Sequence, residues 1–207
     1  MPLAQSQVGV QQSNDGAIIT VRAGKQGDQT ASELHGRYYE QTYAKNQFNG
    51  AVVGQITSAG LSTTYTGLCL SNPIGSNVNL AINKVGYSFI VAFTAASAIG
   101  VMTGYHASTN VVHTTTVTPR NQFFNNSSTG KGLLDSAATL PIVPTLNTIL
   151  ASGLTGLITT AVLIPGGTTD MEGCIILPPG AFCAIYTSTA SGVAAGAFSF
   201  QWEEVPV

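Results

Sequence analysis

Three histidines, His35, His106 and His113, are the only imidazoles in the chain, and they bound what general-base chemistry it could perform. No Gly-x-Ser-x-Gly elbow accompanies them, although unmarked triads exist on other folds. His113 lies in a Val/Thr-rich stretch with the period of a strand, where it reads as a half-exposed sheet histidine with neither a positioned nucleophile nor an orienting acid. His106 and His113 stand seven apart, unlike the short spacings of common metal-ligand motifs. A phosphate-cradling loop of the Walker type is also missing. The sequence therefore assigns no catalytic residue, no cofactor and no metal.

Carboxylates and thiols offer little more. Asp170 and Glu172 would share one face of a strand beside Gly166-Gly167 and could contribute to a calcium site. Calcium takes about six or more oxygens, so a solvated turn is the default reading. Glu203 and Glu204 are adjacent and on a strand point to opposite faces, so they cannot work as a pair. Cys174 and Cys183 are equidistant from the Pro178-Pro179 turn. A hairpin there would set their Cβ atoms about 4.5–5.5 Å apart, close enough for a disulfide, though a protein assembled inside a cell keeps its thiols reduced. If the chain instead crosses between sheets at that turn, both are small buried hydrophobes, and Cys69 is unpaired either way.

The elements that must carry these residues are built from an unusual composition. The 207 residues include seven Lys and Arg and nine Asp and Glu, or 8% charged, and half of those charges fall in the first 50 positions. Ordinary soluble domains carry about a quarter. Beyond residue 50 the exterior must be made of Ser, Thr, Asn, Gln, Gly and Ala, a surface suited to lying against other protein subunits. The net charge of -2 gives no cationic field for phosphates, so nucleic acid is excluded as a partner. The first residues show neither a basic n-region nor an apolar h-region, so no cleaved signal peptide is expected.

Period-two alternation recurs along the chain. Val78, Leu80 and Ile82 alternate with Asn79, Ala81 and Asn83, and Tyr87, Phe89, Val91 and Phe93 alternate with smaller residues. The uncharged run from Val85 to Met102 is thus read as strand followed by a small-residue turn, not as a membrane span. Further strands are expected over Thr64–Leu70, Asn110–Thr118, Leu157–Ile164, Cys174–Leu177 and Ala181–Thr187, separated by Gly, Pro and Asn breakers. In the last strand Phe198, Phe200 and Trp202 fall on one face and form the candidate core. The fold class is all-β, an antiparallel jelly-roll or β-sandwich body over residues 49–207 with an extended N-terminal arm over 1–48. Residues 121–156 break the alternation and read as a long connection with one helical turn near Thr145–Leu150. The Asn125-Asn126-Ser127-Ser128 run within it reads as a polar loop.

In the arm, Asn14-Asp15-Gly16 could close a small hairpin and Thr30 with Glu33 could cap a weak helix. An aromatic cluster follows. Leu34, Arg37, Tyr38, Tyr39, Tyr43 and Phe48, with Arg22 upstream, are the candidate subunit-interface residues, because aromatic and Arg side chains are favoured anchors. Equally, the cluster could cover an edge of its own sandwich.

Two segments carry a resemblance: Glu33-Leu34-His35-Gly36-Arg37-Tyr38-Tyr39-Glu40, and Leu177-Pro178-Pro179-Gly180 with the terminal Phe200-Gln201-Trp202-Glu203-Glu204. In these the chain resembles virion structural proteins of tailed bacteriophages, particularly jelly-roll capsid decoration (cement) proteins. The resemblance implies a non-enzymatic protein assembled in the host cytoplasm and located on the capsid exterior. It would bind the major capsid protein, self-associate as a homotrimer and stabilise the shell, with neither nucleic acid nor membrane as a partner. The rival reading is a receptor- or glycan-binding sandwich of a tail fibre or tip, which should expose several aromatics on loops at one end.

Overall fold

Alternating side chains on short segments bounded by Gly and Pro have one economical solution, two sheets that bury their apolar faces against each other. The computed structural model describes residues 36–91, 97–125, 129–154, 166–193 and 195–207. It divides the chain into Met1–Arg37 and Tyr38–Val207. In the first unit only Gly36 and Arg37 are described, so Arg22, Leu34, the Asn14-Asp15-Gly16 turn and the Thr30–Glu33 cap lie outside the described residues, as does Leu157–Ile164.

The second unit opens with helix α1 (Tyr39–Tyr43). Strands follow as β1 (Gln47–Gln55), β2 (Thr64–Ser71), β3 (Val78–Phe89), β4 (Ser97–Tyr105), β5 (Val112–Val117), β6 (Arg120–Asn121), β7 (Leu133–Thr139), β8 (Thr145–Leu154), β9 (Gly167–Leu177), β10 (Ala181–Thr187) and β11 (Gly196–Pro206). Five strands form one antiparallel sheet in the order β6-β1-β11-β3-β9, and six form the other in the order β5-β7-β2-β10-β4-β8. With β5, β6 and β7 set aside, the remaining strands alternate between the sheets in chain order except at β4 and β8, which pair within one sheet, giving β1-β11-β3-β9 facing β2-β10-β4-β8. This is the strand order of a jelly roll. The inserted strands extend it, β6 beyond β1 and the β7-β5 pair beyond β2.

Between the sheets lies a core of Phe48, Leu68, Leu70, Leu80, Ile82, Val85, Phe89, Leu134, Ile185, Phe198, Phe200 and Trp202. Phe198, Phe200 and Trp202 alternate inward along β11, and Trp202 stacks on Phe48 with ring centroids 6.1 Å apart. A second apolar layer, with Tyr65, Cys69, Met102, Leu140 and Phe182, covers the other face of the six-stranded sheet. With both faces covered, β2 and β10 are buried along nearly their whole length.

Two expectations are corrected here. The helical turn foreseen near Thr145–Leu150 is strand β8, and the supposed connection also contains β7. Periodicity hid them because β8 pairs β4 with three register shifts and β2 pairs β7 with another. Each shift moves the following side chains relative to the partner and scrambles the period-two signal. The Pro178-Pro179 turn is not a hairpin: β9 and β10 lie in different sheets, so Cys174 and Cys183 do not pair. All three cysteines are free, Cys69 and Cys183 buried and Cys174 exposed, so Cys174 is not the buried hydrophobe expected of a crossing.

Candidate interaction surface

Tyr39 and Tyr43, one helical turn apart on α1, stack with centroids 6.0 Å apart and are 42% and 46% exposed. The helix has five residues and no side-chain cap. It stops where Lys45 takes a positive φ of 66° and the chain turns into β1. Phe123 meets Tyr43 edge-on at 6.2 Å, and the Lys45 ammonium lies 5.8 Å from the Phe123 ring centre.

Hydrogen bonds hold these pieces together. The Asn121 side-chain amide donates to the Lys45 carbonyl at 2.6 Å, its side-chain oxygen accepts the Phe123 N–H at 2.8 Å, and Gln122 N–H donates to the Gln47 carbonyl at 2.8 Å. The fixed loop leaves Phe124 86% exposed. Beside it runs a groove of about 500 Å³ lined by Pro119, Arg120, Phe123, Phe124, Gly130 and Leu133.

The far wall of this groove hangs on Glu204. Its carboxylate accepts the Lys131 N–H at 2.7 and 2.9 Å, the Gly132 N–H at 2.9 Å and the Trp202 indole N–H at 3.3 Å. Space at the two glycines is tight: a Cβ at 132 would stand 3.0 Å from Leu80 and from the Trp202 indole, and one at 130 would stand 2.8 Å from the Glu204 carboxylate.

The interface candidates separate on inspection. Tyr39 and Tyr43 join the patch, and Arg37 is exposed. Tyr38 is half-buried, with the Lys84 ammonium 5.3 Å from its ring centre. Phe48 must be corrected: it is 2% exposed and belongs to the sandwich core, because β1 begins at Gln47 and its register sets Phe48 opposite Trp202. Sequence reasoning missed Phe123, Phe124 and Arg120. The available signal was an aromatic pair inside the polar run Asn121-Gln122 to Asn125-Asn126, where no core strand could bury it.

His113 does have the orienting acid that the sequence did not supply. Its Nδ1 is hydrogen-bonded to the Asp135 carboxylate, which is completely buried on β7. Burial raises the Asp135 pKa, and the His113 contact lowers it in part. His113 lines a cavity of about 220 Å³ with Ser71, Asn72 and Asn110. Ser71 donates weakly to the Leu133 carbonyl at 3.4 Å. Cys69 faces Asp135 in register, but burial first, then the Cys183 and Asp135 charges, push its thiol well up, so it supplies no thiolate.

Asp170 forms an ion pair with Lys84 at 3.3 Å. Among the described residues no group of three or more His, Cys, Asp and Glu gathers as a metal site, and no helix is long and apolar enough to cross a membrane. No protein-family model matches the chain, and neither a curated protein nor a solved structure matches it.

Proposed function

We propose that the protein is a non-enzymatic structural subunit of a virion, of the kind that decorates and stabilises the outside of a tailed-bacteriophage capsid by binding the major capsid protein. One observation carries the reading: a nearly chargeless jelly roll exposes a braced aromatic patch of Tyr39, Tyr43, Phe123 and Phe124. Exposed aromatics clustered on one surface are the composition of a protein contact. Low charge limits the desolvation cost of a large interface. In this reading the protein sits on the capsid exterior, is assembled in the host cytoplasm, forms a homotrimer, and needs neither cofactor nor nucleic acid.

A second reading has its own support, since Phe123 and Phe124 sit on a loop, where aromatics can stack on sugar rings. The test that separates the two is the solution mass by light scattering at micromolar concentration, run beside a glycan array. The structural reading expects three times the 21.3 kDa chain mass and no glycan signal. A monomer that binds glycans would overturn it in favour of a receptor-binding sandwich.

A further inference from the structure

Away from the aromatic patch, one buried side chain keeps a hydrogen-bonding capacity that the fold does not use. Asn72, in the turn after β2, is 1% exposed. Its Nδ2 donates to the Val78 carbonyl at 2.7 Å and to the Leu177 carbonyl at 2.8 Å, which fixes the orientation of the amide and leaves Oδ1 a buried acceptor with no partner. Asn72 shares the cavity of about 220 Å³ with His113, and neither Val78 nor Leu177 lines it, so the oxygen is the polar atom that Asn72 has left for the cavity. A buried acceptor without a donor is costly, and such groups in a folded protein are few.

A second orphan stands behind His113. With Nδ1–H donating to the Asp135 carboxylate, the neutral ring presents Nε2 as an acceptor, and no described residue bonds it. Asp135 is completely buried, and its Oδ1 has no partner. Burial raises its pKa and the His113 contact lowers it only in part, so the fold leaves the charge under-compensated. The cavity contains no Lys or Arg to answer it. Its floor is the buried Ser71 and Asn72, and exposed Leu133 and Asn110 stand at its mouth. Hydrogen bonds fix the surroundings: Asn72 N–H donates to the Ala181 carbonyl at 2.8 Å, Gly180 N–H to the Asn72 carbonyl at 2.7 Å, and Ile74 N–H to the Asn110 side-chain oxygen at 2.8 Å.

We propose that this cavity binds a primary alkylammonium group, of the kind that ends a lysine side chain. Its N–H donors meet Asn72 Oδ1 and His113 Nε2, its charge is set against Asp135 behind the imidazole, and its alkyl stem lies along Pro73, Val111 and Leu133. An anion would find acceptors and a buried acid where it needs donors. A neutral hydroxyl would satisfy the acceptors but leave the Asp135 charge as it is. The inference goes beyond the structural-subunit reading and does not depend on it.

The test titrates n-butylammonium chloride into the full chain at neutral pH and follows the His113 ring protons by NMR, with n-butanol as the neutral isostere and sodium chloride as the ionic control. A saturable shift is expected with the amine alone. Asp135→Asn, which removes the charge and keeps an acceptor for the His113 N–H, should weaken amine binding about tenfold or more. Leu133→Trp, at the exposed mouth, should abolish it, with urea midpoints checking that both variants fold. Nα-acetyl-lysinamide and putrescine separate the sources: tighter binding of the first assigns the site to a lysine of a docked protein, tighter binding of the second to a free diamine. No saturable shift, an equal response to n-butanol, or unchanged amine binding in Asp135→Asn would overturn the site.

Discussion

The Glu204 carboxylate accepts the indole N–H of Trp202 at 3.3 Å, from two residues further along the same strand, and the same oxygen accepts Gly132 N–H. One buried acid thereby ties the largest fully buried side chain of the core to the wall of the surface groove.

Removing that acid should loosen both. Glu204→Ala leaves the Lys131, Gly132 and Trp202 donors without an acceptor and should cost about 2–3 kcal/mol, read as a lower urea midpoint. Glu204→Gln, which keeps an acceptor oxygen, should cost less. Equal stability of all three proteins would refute the role given to Glu204.

Trp202 is fully buried against Phe48, so Trp202→Ala should cost about 3–5 kcal/mol. Gly132→Ala, which forces a Cβ to within 3.0 Å of Leu80 and the Trp202 indole, should cost about 1–3 kcal/mol. Thermal unfolding of both variants checks the order, and a Gly132→Ala protein as stable as wild type would show that the loop approaches the core less closely than described.

Burial of Asp135 has a pH signature. A carboxyl whose folded pKa lies above its unfolded value of about 3.9 favours folding below that value and loses the contribution as pH rises through the folded pKa. Asp135→Asn keeps an acceptor for the His113 N–H and cannot ionise. From about pH 4 to pH 7 the variant should gain stability relative to wild type in urea titrations. Parallel curves would contradict a raised Asp135 pKa.

Thiol reactivity should follow burial. Burial and neighbouring charges raise the Cys69 pKa and burial raises that of Cys183, whereas Cys174 is exposed. One of the three thiols should react with a chromogenic disulfide reagent in the native protein, and all three in urea. Two fast thiols in the native state would place Cys69 or Cys183 nearer the surface than described.

Much of the sandwich was legible in the sequence. Phe198, Phe200 and Trp202 announce the inner face of β11 because that strand has one buried face and one half-exposed face, which a two-residue period reports faithfully. Strands β7 and β8 were illegible for different reasons: β7 is buried at the consecutive Leu134 and Asp135 and then at Ala138, with no two-residue period, and β8 is a bulged edge. The site was only half legible. Tyr39 and Tyr43 stood out by type and spacing, but the loop that meets them lies some eighty positions away in sequence, and only the antiparallel pairing of β1 with β6 brings Asn121 and Phe123 beside Lys45 and Tyr43. Likewise His113 and Asp135 are brought together by the β5–β7 ladder, which no local pattern marked.

The most direct test of the account is the light-scattering mass of wild type against Phe123→Ser/Phe124→Ser, with urea unfolding run alongside to show that the exposed substitutions leave the fold intact. The account expects a wild-type mass of three chains that falls to one chain in the variant at unchanged stability. The same mass for both proteins would contradict the claim that this aromatic patch is the subunit contact.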